Sequence, residues 1–182
     1  MSTNAIVLDD EDGLFRVLGF LDAEVNFPYL TNCDDIDSDF VKGVTFSFID
    51  DKAYPIASIG DFTIADVSDD TAEPEISGLT EEDVSLFDKQ LREAIEIALQ
   101  SEGNKLLRWA KSYLIFVDEE PCLMTAYVAH VAGEERQYVT ARYKIAGRNI
   151  VLMGSFLVRL TDEMLPLILV AMGRVRPARF DS

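Results

Sequence analysis

Two cysteines and a single histidine are the only thiol and imidazole groups in this chain of 182 residues, so cysteine nucleophiles and soft-metal sites must draw on Cys33, Cys122 and His130. A thiol becomes an effective nucleophile when a neighbouring base takes its proton. Cys122 and His130 stand eight residues apart in one apolar stretch, and at about 3.3 Å per residue a strand holds them about 26 Å from each other. They cannot act as a pair. The alternation puts Cys122, Met124, Ala126, Val128 and His130 on one strand face, which is expected to be buried. Cys33 and His130 are not separated by that argument, but nothing in the sequence brings them together, and both thiols are expected to pack as small apolar groups. No C-x-x-C pair occurs, so neither a disulfide framework nor a zinc cluster is indicated, and a reducing, cytoplasmic setting is expected.

Asp35-Ile36-Asp37-Ser38-Asp39 has the alternate carboxylates that begin a calcium loop. The pattern then fails, with Phe40 where the loop needs glycine and Phe46 where it needs a bidentate glutamate, so an acidic surface segment is the expectation. Gly154-Ser155-Phe156 is not a nucleophile elbow, and no glycine-rich phosphate loop is present. Carboxylates are too numerous for any pair to stand out as an acid–base couple. The sequence therefore names no catalytic residue, metal ligand or cofactor.

The most specific surface pattern lies between Arg136 and Ile145. Arg136, Tyr138, Thr140, Arg142 and Lys144 alternate with Val139, Ala141, Tyr143 and Ile145, which gives a strand one polar, basic face and one apolar face. Arg136, Tyr138, Arg142 and Lys144 are the candidate partner-binding residues. The competing expectation is that they pair with carboxylates of neighbouring strands or of the N-terminal half. Arg108 and Lys111 would join them if the strand register allows.

Several elements must position that strand. Val44, Phe46 and Phe48 alternate with Thr45 and Ser47, the period of a half-buried strand, and a second strand is expected near Tyr54–Val67. Leu14–Leu21 reads as a short helix or strand, and Asn26–Asp39, rich in Asp and Asn, as largely loop. Ser68–Gly78 reads as an exposed acidic linker without core. A helix starts after Thr80, with Glu81, Glu82 and Asp83 at the positive end of its dipole and a stripe of Val84, Phe87, Leu91, Ile95 and Ala98, and stops at Gly103. Four strands follow over Lys105–Val117, Cys122–Ala132, Arg136–Ile145 and Asn149–Val158, joined by connections too short for parallel crossovers. A last helix follows Thr161. It is apolar on nearly every side from Met164 to Met172, Leu169 is expected in the core, and Arg174 and Arg176 close its carbonyl end.

The formal charge is −17, and 22 of the 33 acids but only three of the 16 bases fall within the first 88 residues. Such a field disfavours nucleic acid and anionic membranes and favours a basic protein partner. The longest apolar stretch, Met164–Met172, is far short of the roughly 20 residues a membrane helix needs, and the N-terminal residues lack the pattern of a secretory signal.

Residues 80–176 resemble the PsbP/Mog-type α/β sandwich, a family that includes small lipoproteins and secretion-effector chaperones. The resemblance rests on the helix Leu86–Leu99, the strand carrying Trp109 and Tyr113, the paired strands, Gly147-Arg148-Asn149-Ile150-Val151-Leu152 entering the last strand, and the closing helix. The acidic first half matches no part of that pattern, and the lipoprotein members' export signal is missing. The resemblance implies a partner-binding scaffold rather than a fixed chemistry.

These readings give an α+β fold in which an antiparallel sheet, with a C-terminal four-strand meander, carries two helices. A single domain spans residues 1–182, with 1–42 partly irregular and 68–79 an acidic linker. The expected function is a non-enzymatic intracellular protein-binding module of chaperone, adaptor or immunity type, working through its acidic surface or its basic strand face and compatible with homo-oligomers. A small-ligand-binding protein or enzyme with a pocket between sheet and helices is the alternative. A mimic of DNA built on the acids is a third.

Overall fold

The structure is a computed structural model that describes residues 6–9, 14–18, 21–26, 30–50, 57–67, 76, 78–117, 119–145 and 148–177. Three short strands, β1 (Ile6–Asp9), β2 (Leu14–Leu18) and β3 (Leu21–Asn26), precede β4 (Leu30–Asp37), β5 (Val41–Asp50) and β6 (Ala57–Val67). Helix α1 (Glu81–Ser101) leads into β7 (Lys105–Val117), β8 (Glu120–Val131), β9 (Glu134–Ile145) and β10 (Arg148–Leu157). A 3-10 turn, Val158–Leu160, opens α2 (Thr161–Arg174), and β11 (Arg176–Pro177) closes the described chain.

The fold is α+β, but its main sheet is larger than the four-strand meander. Seven antiparallel strands lie in the order β4-β5-β6-β10-β9-β8-β7, beside a smaller sheet ordered β1-β2-β3-β11. The meander supplies one half, and β10 then pairs with β6, with Leu152 opposite Ile64 and Gly154 opposite Phe62. Leu14–Leu18 is a strand. Leu30–Asp37, expected as loop, is the edge strand β4. An edge strand with solvent beside it can be stable without apolar alternation, because its ladder bonds to β5 carry it and its charges keep other strands away. The expected strand over Tyr54–Val67 is described from Ala57 onward. Most of the expected linker lies outside the described residues, but Ile76 within it is buried, contrary to the expectation of no core there. Arg176 belongs to β11 rather than to the end of the last helix.

Register explains where the core sits. One row across the large sheet reads Cys33, Phe46, Phe62, Gly154, Val139, Ala126 and Ala110. With the neighbouring positions Val44, Ile64, Leu152 and Phe156 it forms the apolar face on which α2 lies through Met164, Ile168, Ala171 and Met172. Gly154 is the middle of that row for a steric reason: a Cβ there would collide with Ile168 Cγ2. Helix α2 also packs on β3 of the small sheet, so it is held between the two. It buries one stripe only. Leu169 is 44% exposed and Val170 is exposed too, so the expectation that Leu169 is core is corrected. At 100° per residue Leu169 turns away from the face that Ile168 occupies.

Helix α1 packs on β7, across the opposite face of the sheet. Thr80 caps it reciprocally: its side chain accepts the Asp83 N–H, and the Asp83 carboxylate accepts the Thr80 N–H at 2.8 Å. That bond holds the Asp83 carboxyl below its ordinary pKa. Val84 is buried and Phe87, Leu91 and Ile95 are half-buried, as their spacing predicts, whereas Ala98 is exposed.

Candidate functional site

The sheet face beneath α1 is polar, and its rows set the geometry. One row carries hydroxyls: Thr45, Thr63, Met153, Thr140 and Thr125 lie across five strands, and Ser112 of β7 completes it. Thr45 and Thr63 share a hydrogen bond of 2.9 Å, and Ser112 and Thr125 share one of 2.8 Å. Pairing hydroxyls with each other lets them be buried without an unmet donor or acceptor. The adjacent row reads Ser47, Asp61, Ser155, Tyr138, Tyr127 and Trp109. Its aromatic end is a ladder, with ring centroids 4.7 Å apart for Tyr138 and Tyr127 and 5.6 Å for Tyr127 and Trp109.

Asp88 of α1 ends that ladder. The Trp109 indole Nε1–H donates to its carboxylate at 3.0 Å and the Ser112 backbone N–H at 2.6 Å. Desolvation pushes the Asp88 carboxyl up, but the donors from Ser112 and Trp109, with Lys111 nearby, outweigh it and hold the group below its ordinary pKa. Asp88 is therefore an ionised clamp between helix and sheet, not a proton donor.

The four candidate partner-binding residues share this face, as their alternation requires, and the structure shows what surrounds them. Arg136 lies 3.8 Å from the Asp61 carboxylate and donates to the Ser58 carbonyl at 3.2 Å and to Ser155 Oγ at 3.4 Å. Tyr138 stacks on Tyr127, and burial raises its phenol pKa. Arg142 has its guanidinium carbon 5.6 Å from the centre of the Phe87 ring of α1, a cation–π contact. Lys144 is half-buried opposite Asn149 of β10. Lys111 reaches Asp88 electrostatically, while Arg108 is exposed on β7.

Burial, with Tyr138 adding to it, pushes the Tyr127 phenol up to about 12, so it stays protonated. Ser155 donates to Asp61 at 3.4 Å, with Arg136 rather than an imidazole beside it. His130 is exposed near the end of β8 opposite Glu135, which corrects the expectation that it shares a buried face with Cys122. The Cys122 thiol is buried, pushed up to about 11, with its Sγ 3.8 Å from Met124 Sδ. Cys33, on β4, is exposed, which corrects the expectation that it packs as a small apolar group; partial desolvation first, and then Asp35 and Asp34, push its thiol up to about 11. Five strand spacings separate β4 from β8, on the order of 24 Å, so Cys33 and His130 do not meet. The Asp35–Asp39 motif starts in extended β4, where Asp37 pairs with Lys42 at 3.8 Å, and no group of three or more His, Cys, Asp or Glu gathers around a point among the described residues.

Sequence reasoning missed Asp88 and the ladder. The signal for Asp88 was present: it stands four residues after Val84, inside the apolar stripe of α1, where an acid needs a donor. The ladder needed the register of three strands, which spacing alone does not give.

No protein-family model matches the sequence, and no curated protein does. Among solved structures the chain superposes on the solution structure of cyanobacterial PsbP from Synechocystis sp. PCC 6803 with a TM-score of 0.57 at 14% identity, over 98% of this chain and 94% of that one. The Pseudomonas aeruginosa protein PA94, described as of unknown function, aligns with a TM-score of 0.45 at 10% identity, over 97% of this chain and 99% of its own. The match to PsbP runs through nearly the whole chain, the acidic first half included, and the fold is PsbP-like; at this identity the likeness is one of fold alone.

Proposed function

We propose that this chain is a non-enzymatic protein-binding module of the adaptor or chaperone kind, and that its partner is basic. The observation that carries the reading is where the two signs of charge lie. Arg136 and Arg142 of β9 are engaged within the protein, by Asp61 and by Phe87. The acids of β4 face outward instead: Asp34, Asp35 and Asp37 are exposed on an edge strand, and Asp39 follows in the turn to β5. An exposed edge offers backbone donors and acceptors beside its carboxylates, so a cationic segment could gain both ladder bonds and charge pairing there. The strand-face alternative, with Arg136, Tyr138, Arg142 and Lys144 as the contact set, requires a partner to displace contacts these side chains already make. At the acidic edge the exposed Lys42–Asp37 pair at 3.8 Å is the contact a partner would compete with, and exposed pairs of that kind are worth little. Among the described residues no helix is long and apolar enough to cross a membrane.

The test is affinity capture at low and at high salt with wild-type bait and with Asp34→Asn/Asp35→Asn/Asp37→Asn bait, whose folding is checked by circular dichroism. A basic protein held by the wild type, released by salt and not held by the triple variant supports the reading. A partner retained equally by both baits removes β4 as the surface. Loss on Arg136→Ala or Lys144→Ala bait, with the β4 variant unaffected, transfers the interface to β9.

A further inference from the structure

Strand β4 pairs with β5 along its whole length without a register shift, from Leu30 opposite Ile49 to Asp37 opposite Lys42. The phase of that ladder is set at the turn, where the Ser38 N–H donates to the Val41 carbonyl at 2.9 Å. Opposed residues of an antiparallel pair alternate between those that exchange hydrogen bonds and those that do not. Counting back from Ser38 with Val41, it is Ile36, Asp34 and Asn32 that bond to β5. Asp37, Asp35 and Cys33 direct their N–H and C=O away from it, to the open side of the sheet. Asn32, Cys33, Asp34, Asp35 and Asp37 are all exposed there, and Ile36 is half-buried.

The carboxylates follow the same alternation. Asp35 and Asp37 share one face with the Cys33 thiol, and Asp34 shares the other with Ile36. Antiparallel pairing continues the sense of the whole sheet and is the slightly more stable form. A strand added in that sense meets, in its own N-to-C order, Asp37, Ile36, Asp35, Asp34 and Cys33. Opposite charges directly across a ladder attract and like charges repel, so this edge selects a cation, an apolar residue and then two cations. Lys42, directly across from Asp37 on β5, already makes such a pair at 3.8 Å. The acids that turn neutral and acidic strands away thus admit one kind of strand. A second copy does not supply it: β4 carries no cation, and Lys105, Arg108 and Lys111 of β7 stand three apart on a strand whose register shifts twice.

We propose that the β4 edge takes an antiparallel strand of a basic protein with the pattern cation, apolar residue, cation, cation, set so that the cations lie opposite Asp37, Asp35 and Asp34. Such docking presupposes that β4 is the surface for a basic partner, and adds its orientation and register. Lys42 competes for Asp37, so the first cation contributes least.

Two end-capped peptides of one composition, Thr-Arg-Val-Arg-Arg-Thr-Thr-Thr and its reversal Thr-Thr-Thr-Arg-Arg-Val-Arg-Thr, separate this pattern from net charge in fluorescence anisotropy with the full chain at low salt. The first is expected to bind at least about threefold more tightly, and replacing its first arginine with threonine should weaken it less than replacing its second. Register is read through Cys33, the exposed thiol, Cys122 being buried. A peptide cysteine placed just after the arginine pair, activated as a mixed disulfide with an aromatic thiol, has its Cα about 5.5 Å from that of Cys33, within disulfide reach. The Cys33 thiolate attacks the peptide sulfur and the aromatic thiolate leaves; about pH 9 is used because burial and the neighbouring acids keep the thiol protonated. The same cysteine one place later lies on the other face and should react at least about tenfold more slowly. Equal binding of the two peptides, both lost in the folded Asp34→Asn/Asp35→Asn/Asp37→Asn variant, overturns the strand register and leaves the basic-partner reading of the edge standing. Binding that this variant retains overturns both. No binding of the first peptide, a first arginine worth more than the second, or equal rates from the two cysteine positions overturns the proposal as well.

Discussion

Asp88 shows what one side chain does in this protein. An acid on the packing stripe of a helix would ordinarily cost stability, but the Trp109 indole and the Ser112 amide both donate to it, and hydrogen bonds to a charged acceptor are the stronger kind. Removing the carboxylate leaves two donors without an acceptor. Asp88→Ala is accordingly expected to lose about 2–3 kcal/mol in urea unfolding at pH 7, and Asp88→Asn, which keeps an acceptor oxygen, roughly half as much. The pH dependence follows from the lowered carboxyl pKa. The ionised group is favoured in the folded state, so its contribution is complete above the unfolded value of about 3.9 and is lost as pH falls through the lower folded value. The gap between wild type and Asp88→Ala should be constant from about pH 5 to 7 and narrow below about pH 4. A gap that widened on acidification would mean that Asp88 is not the ionised clamp described here.

At the scale of elements, α2 approaches the large sheet closely where Ile168 lies over Gly154. Ile168 is fully buried while Leu169 is 44% exposed, so neighbouring positions of one apolar helix have opposite sensitivities. Ile168→Asp places an unpaired charge in the core and should unfold the protein, whereas Leu169→Asp should stay folded with a loss of about 1 kcal/mol or less. Circular dichroism melts of the two variants decide it, and equal losses would mean that the packed face has been misassigned. The same helix shows where sequence stops being informative. A helix apolar all round has no pattern to say which side is core, so Leu169 could not be placed without the sheet beneath it. The strands β7–β10 were legible because each is an apolar-rich run bounded by turn residues, and β9 alternates as well. β4 was not, since an acidic edge has no buried face to leave an alternation. The face of β9 was also legible, down to the residues that share it, yet Phe87 over Arg142 and Asp61 beside Arg136 come from elements distant in sequence, and no local pattern encodes them.

Over the whole molecule the dominant quantity is charge. With a net −17, and with 22 of 33 acids in the first 88 residues, folding gathers like charges that the unfolded chain keeps apart, and that repulsion opposes the compact state. Salt acts on both signs of interaction, so the direction of its effect depends on what it screens. The pairs Lys42–Asp37 and Arg92–Glu96 are exposed and worth little, and losing them to screening costs little. Arg136–Asp61 and Arg148–Asp66 are partly buried and are screened less. Repulsion among exposed carboxylates, by contrast, extends over distances that a Debye length of about 10 Å at 0.1 M cuts off. Stability should therefore rise with salt: between about 10 and 200 mM sodium chloride the melting temperature is expected to increase by a few degrees, most of it below about 100 mM, where the screening length changes fastest. The Asp34→Asn/Asp35→Asn/Asp37→Asn variant should begin from a higher melting temperature at low salt and gain less, because part of the repulsion has already been removed. A melting temperature that fell as salt was added would show that attraction between the acidic half and the cations of β7–β10 outweighs repulsion within that half.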